Sequence, residues 1–366
     1  MEILDNKIQK TALYKSHKML NAKMVPFCGF EMPISYPEGI QSEYYSVRND
    51  VGIFDVSHMG EFIITGPNAL QLLQKVTIND VSKLDVGQAQ YSAMCYEDGG
   101  IVDDLIIYRK SDGYFMVVNA ANIQKDFDWI NQYVPNGTHL KNISSDISLV
   151  AVQGPRSRKL LSQFTDIDLV MPFYSFKEAV VCGFYVMVSR TGYTGELGFE
   201  IYASEEAVIT IWDELIKVGA QPAGLAARDI LRLEMSYCLY GNDIDETINP
   251  LEAGLGWITS LDKEKFIGFD RIQQEKKVGS KRRLVAFSMR ERGIPRPGYK
   301  VYAEGRNIGY VTSGTQSPLL NTGIGLAYVD TPFNKIGQQI SIAIRDKLLE
   351  TIIIKAPFIN NTSLHH

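Results

Sequence analysis

The sequence predicts an α+β chain, with a large N-terminal module of mixed strands and helices followed by a C-terminal β-domain. Three observations carry this. Up to about residue 274, strand-like runs with short turns alternate with segments of helical period. A short basic stretch, "EKKVGSKRR" from Glu275 to Arg283, then interrupts the pattern as a linker. Beyond it the chain reads almost wholly as strand, with turn residues at short intervals, as in a small antiparallel barrel or sandwich.

The elements follow in order. "GGIVDDLIIYR", Gly99 to Arg109, supplies a strand over 101–109, with a turn at Lys110-Ser111-Asp112-Gly113 and "YFMVVN" as the return strand. In "AANIQKDFDWINQYV", Ile123, Phe127, Ile130 and Val134 recur at helical spacing. Tyr185 to Ala203 reads as a second strand–turn–strand. "EEAVITIWDELIKVGA" is an amphipathic helix with Val208, Ile211, Trp212 and Leu215 on one face, ending near Gly219. "GLAARDILRLEMSYCL" reads as a further helix, and "LVAFSM", "GYKVYA", "NIGYVTS", "GIGLAYV", "GQQISIAI" and "LETIIIK" are the strands of the last domain. The expected division is 1–274 as a module of two interlocked α+β subdomains, 275–283 as linker and 284–358 as the β-domain. The final "SLHH", 363–366, reads as a tag remnant.

Composition narrows the function. An apolar fraction of 45% and a charged fraction of 22% are those of an ordinary globular protein. A net charge of −5 argues against nucleic-acid binding. No apolar run reaches membrane-spanning length, and the N-terminus lacks the apolar core of a signal peptide, so a cytoplasmic protein is expected. Cys28, Cys95, Cys182 and Cys238 stand singly, as do His17, His58 and His139, so no metal site is expected.

The chemistry-bearing candidates begin with Asp103 and Asp104, two acids inside an apolar strand. Burying an ionised carboxylate costs several kcal/mol, on the order of 3 or more, unless it is compensated. Adjacent strand residues point to opposite faces, so the two cannot share a pocket as a dyad; satisfaction at a frayed strand start is the plainer alternative. Glu200 lies in mid-strand between Phe199 and Ile201, after the glycine-rich "TGYTGELGFE". That stretch is either a hairpin turn or a close approach to a ligand. Arg228 and Arg232 share a helix face, as a salt-bridged surface or a carboxylate clamp. Asn119 reads as an N-cap. In "DVSHMG", Ser57 and His58 would point apart, which argues against a serine hydrolase.

Taken together, several stretches carry a resemblance that none carries alone. They are "LYKSHKMLNAKMVPFCGFEMPISY", "VRNDVGIFDVSHMGEF", "GGIVDDLIIYR", "VVNAAN", "AVQGP", "RTGYTGELGFEI", "GLAARDILRLEMSYCLYGNDIDETINP" and "TSGTQSP", in family order from about residue 11 to residue 358. The chain resembles the aminomethyltransferase (T-protein) family of the glycine cleavage system. The resemblance implies a three-domain cloverleaf around a central folate channel, with antiparallel sheets plus helices and a small C-terminal β-barrel. It implies transfer of a one-carbon unit from the aminomethyl-lipoyl arm of H-protein to tetrahydrofolate as co-substrate. Ammonia, 5,10-methylenetetrahydrofolate and dihydrolipoyl H-protein would be the products. The implied partners are lipoylated H-protein and, transiently, the other glycine cleavage components, with no metal, nucleic acid or membrane.

Matched position by position, Asp103 falls on the family's catalytic aspartate, and Asp104 is its structural neighbour. Asn119, Tyr193, Glu200, Arg228 and Tyr237 fall on folate-lining positions, as do Tyr91 and Met59. Some relatives carry a tyrosine shortly after the "PF" at Pro357-Phe358, where this chain reads "INNTS". The basic linker could steer an acidic partner or be a plain solvated connection. Two alternatives share this resemblance. A folate-dependent demethylase is disfavoured by the whole "YGNDIDETINP" block and the missing oxidase domain. A non-catalytic folate binder is disfavoured because "YCLYGND" stands where such proteins carry Lys-Gly-Cys.

Overall fold

Two large sheets, a two-stranded hairpin (Lys23–Phe27 with Phe30–Ser35), a closed barrel and the helices around them make up residues 8–366, the part of the chain described by a computed structural model. A five-stranded antiparallel sheet has the order Ala89–Cys95, Ile101–Lys110, Gly113–Val118, Gly60–Thr65, His139–Asn142. A six-stranded sheet has the order Phe176–Val181, Phe184–Ser189, Gly198–Ala203, Ser148–Gln153, Gly52–Asp55, Gln221–Pro222, and only its last pair is parallel. The chain passes from one sheet to the other between Asp55 and Gly60 and returns at Ser148, so the two are interleaved in sequence.

Period-2 alternation sorts each strand between two apolar layers. Phe62, Ile64, Leu105, Ile107 and Met116 pack outward against the helices Ala69–Val76 and Ile123–Asn131. Tyr108, Phe115 and Val117 face the other way, toward Leu149, Ala151 and Tyr202 of the six-stranded sheet. On the far side of that sheet, Phe199 and Ile201 pack with Val208, Ile211, Trp212 and Leu215 of the helix Glu205–Lys217. Ser204 caps this helix by accepting from the Ala207 amide.

The last domain is a closed six-stranded barrel, Arg282–Met289, Thr322–Asp330, Arg306–Ser317, Lys300–Ala303, Gln339–Ile344, Lys347–Ile354, and not a sandwich. Its closure needs glycine at Gly309, where a Cβ would stand 1.9 Å from the Tyr328 carbonyl oxygen. The helix Leu225–Glu234 joins the barrel to the rest through buried charges. Arg232 donates to Asp243 at 2.7 Å and to Ser313 Oγ at 2.9 Å, and Glu234 accepts from Tyr44 Oη at 2.8 Å and Ser317 Oγ at 2.6 Å.

The basic stretch 275–283 is mostly structured: the helix Phe269–Val278 runs into it and the first barrel strand starts at Arg282, so only 279–281 connect them. The tail 363–366 packs onto the fold. Ser363 and Leu364 are buried. Ser363 donates from N (2.8 Å) and Oγ (2.6 Å) to the Glu196 carboxylate and accepts from the Leu197 amide. The Leu364 carbonyl accepts from the buried guanidinium of Arg190.

Candidate active site

The strand Ile101–Lys110 decides the fate of the two aspartates. Asp103 lies on the side of Leu105 and Ile107, which the helix layer covers, and has no exposed surface. Its Oδ1 accepts from Asn119 Nδ2 (2.9 Å) and Asn122 Nδ2 (2.7 Å), and its Oδ2 from the Asn119 amide (3.0 Å). Asp104 lies on the opposite side, shared with Ile106 and Tyr108, between the two sheets. It is half-buried, and Oδ2 accepts from Tyr91 Oη at 2.9 Å while Oδ1 accepts from Asn119 Nδ2 at 2.8 Å. Asp103 is therefore enclosed and saturated, and Asp104 lies on the side that faces the six-stranded sheet. Burial, and next the charge of Asp103, push the Asp104 carboxyl up to about 7.

The other candidates converge on the Asp104 side. Glu200 is buried on the Tyr202 side of its strand and accepts from Thr191 Oγ1. Burial raises its carboxyl, with Thr191 and Arg228 opposing. Arg228 has no salt-bridge partner among the described residues, and its guanidinium stands 4.8 Å from the centre of the Tyr193 ring. Burial lowers it, and Glu200 is the largest opposing influence. Tyr193 stacks on Tyr237 with ring centres 5.7 Å apart and donates to the Cys238 carbonyl. Met59 packs against the same inter-sheet layer. Tyr91, Asp104, Asn119, Tyr193, Arg228 and Tyr237 each keep part of their surface open.

Some local readings resolve differently. Asn119 does not cap the following helix; its amide bridges both aspartates. Arg232 is the salt-bridged member of the arginine pair and Arg228 the unpaired one, so a shared helix face does not mean a shared role. Ser57 donates to the Leu149 carbonyl, and His58, whose Nδ1 has no hydrogen-bond partner among the described residues, lies edge-on to Phe27 and is pushed down to about 4 by burial.

Sequence reasoning passed over three neighbours. Trp257 is 72% exposed and stacks on Tyr91. Tyr174, at φ +62°, stands where Tyr237, Glu200 and Asp104 all influence its hydroxyl. Thr191 links Glu200 to the hydroxyls of Ser189 and Tyr108. An exposed aromatic in a Gly-rich connection, "GLGWITS", was the available signal for Trp257.

Two family descriptions match the chain: the GCVT N-terminal domain over residues 13–263 and the glycine cleavage T-protein C-terminal barrel domain over residues 282–360. The chain belongs to the glycine cleavage T-protein family, a class of transferase enzymes. Within that class it is an aminomethyltransferase of the glycine cleavage system. It is 51% identical to an aminomethyltransferase of Flavobacterium psychrophilum over 359 residues, covering 96% of this chain and 99% of the relative. It is 46% identical to one from Halothermothrix orenii, covering 96% and 100%. The solved structure of glycine cleavage system aminomethyltransferase T from Bartonella henselae superposes with a TM-score of 0.92 at 30% identity, covering 97% of this chain and 99% of that one.

Proposed function

We propose that this chain takes the aminomethyl group from the lipoyl arm of H-protein and passes its carbon to tetrahydrofolate. The reacting carboxylate in this reading is Asp104. The observation that supports the assignment is the half-buried Asp104 carboxylate on the side where Glu200, Arg228 and the stacked Tyr193 and Tyr237 converge.

The residues suit the chemistry. A buried carboxylate such as Glu200 accepts paired N–H donors, which the amino-pyrimidine edge of a pterin offers. The unpaired Arg228 suits an electron-rich or acidic part of the same ligand, and Tyr193 and Tyr237 offer flat apolar surface. In the transfer, the carbon–nitrogen bond of the aminomethyl group and then its carbon–sulfur bond break. Two bonds from that carbon to folate nitrogens form. The two N–H protons displaced from folate leave with ammonia and with the lipoyl thiol. Positive iminium character develops on the carbon, and a fixed carboxylate stabilises it without reorganisation. A carboxyl near 7 also gives and takes protons readily at neutral pH.

The test is methylenetetrahydrofolate and ammonia formation from aminomethyl-loaded H-protein and tetrahydrofolate. Turnover of a free methylated amine without the carrier, and none with it, would replace this reading by a folate-dependent demethylase.

A further inference from the structure

Asp126 is a buried acid that the proposed transfer does not use. It stands in the first turn of the helix Ile123–Asn131 and has no exposed surface. Neither carboxyl oxygen receives an N–H or O–H from the described residues. Its helix starts just after Asn122, whose side chain donates to Asp103, and Asp103 is the strongest charged influence on Asp126. Asp103 already accepts three N–H groups from Asn119 and Asn122. The nearby cation is engaged elsewhere: Lys125 Nζ donates to the Val102 carbonyl at 2.5 Å and to Tyr240 Oη at 3.1 Å.

Two carboxylates in contact and out of water cannot both ionise, because their repulsion adds to the desolvation of each. One proton between them removes both penalties and supplies the missing donor. Asp126 O–H then donates to Asp103, whose oxygens also accept the three N–H groups. The groups facing Asp126 reinforce this: Asp103 and Asp104 favour its protonated form, Tyr96 and Tyr240 bring no positive charge, and Lys125 opposes. Burial, then Asp103, raise the Asp126 carboxyl to about 11.

The consequence reaches Asp104 through one amide. Asn119 Nδ2 donates both to Asp103 Oδ1 and to Asp104 Oδ1. We infer that Asp126 and Asp103 hold one proton between them, and that this pair positions Asn119, and through it the Asp104 carboxylate, for the transfer step. Asp126 is thus a positioning residue, and its role rests on the reading of Asp104 given above.

Infrared difference spectroscopy and kinetics test it together. In the full chain a buried carboxylic-acid C=O stretch should persist between about pH 6 and 9 and vanish in Asp126→Asn; the substitution identifies the band, because Glu61 is a second buried acid without a partner. Asp126→Asn keeps an N–H donor to Asp103 and should retain kcat within about threefold, whereas Asp126→Ala should lose about tenfold in kcat with KM for tetrahydrofolate unchanged. The proposal is overturned if the spectrum shows no band that depends on Asp126, or if Asp126→Asn loses as much kcat as Asp126→Ala. Should Asp126→Ala not fold, the band and the kcat of Asp126→Asn decide. An inactive wild type would overturn the transfer reading alone, since the band reports on the pair without any substrate.

Discussion

Replacing Asp104 by Asn is the sharpest perturbation this structure offers. The amide keeps an oxygen for Tyr91 or Asn119 and nearly the same volume, so the fold should survive. What is lost is the charge. A unit charge about 4 Å from the developing iminium, at an effective dielectric of about 20, contributes about 4 kcal/mol. Asp104 keeps some contact with solvent, which screens part of this, so the expected loss is about 100- to 1,000-fold in kcat. The assay is methylenetetrahydrofolate formation from loaded H-protein across pH. Because the Asp104 carboxyl sits at about 7, wild-type kcat should rise with pH through that value as the group ionises, and Asp104→Asn should be flat there. Asp103→Asn should keep the rise but move it to lower pH, since a neighbouring negative charge is gone. If the rise survives in Asp104→Asn and disappears in Asp103→Asn, the reasoning fails and the reacting group is Asp103.

Other expectations are independent of that one. Glu200→Gln should raise KM for tetrahydrofolate at least about tenfold with little change in kcat, because a buried carboxylate that accepts paired donors is lost; steady-state kinetics decide it. Arg232→Met leaves Asp243 buried without its cation and should destabilise the chain by about 3–5 kcal/mol in urea unfolding; a change under about 1 kcal/mol would contradict the staple role. Removing 363–366 strips partners from Arg190 and Glu196 and should cost about 1–3 kcal/mol, read by the same method. Asp126 binds a proton in the native state that the unfolded chain releases above about pH 4, so it makes stability fall as pH rises. The difference in unfolding free energy between wild type and Asp126→Asn should slope by about 1.4 kcal/mol per pH unit between about pH 5 and 9.

Much of the architecture was legible because local periodicity reports it directly. The strand Ile101–Lys110, its tight turn, the helix Glu205–Lys217 and the strand-only C-terminal domain follow from alternation, turn residues and 3.6-residue spacing. Barrel against sandwich could not be read, because closure depends on which edge strands meet, and Arg282–Met289 pairs with the distant Lys347–Ile354. The same limit explains the tail: nothing within "SLHH" says that Glu196 and Arg190 wait for it, since those partners lie more than 160 residues away in sequence.

The aspartate doublet marks the division most clearly. By itself the sequence determined that Asp103 and Asp104 face opposite ways, since a strand permits nothing else. It could not say what covers each face, because Leu105, Ile106, Ile107 and Tyr108 are apolar on both faces. Only the tertiary structure decided it. The helix Ile123–Asn131 covers the face that carries Asp103, and the six-stranded sheet packs on the other, where Asp104 stays half-buried. A pleat determines alternation, but what covers each face is a long-range packing outcome that no local pattern encodes.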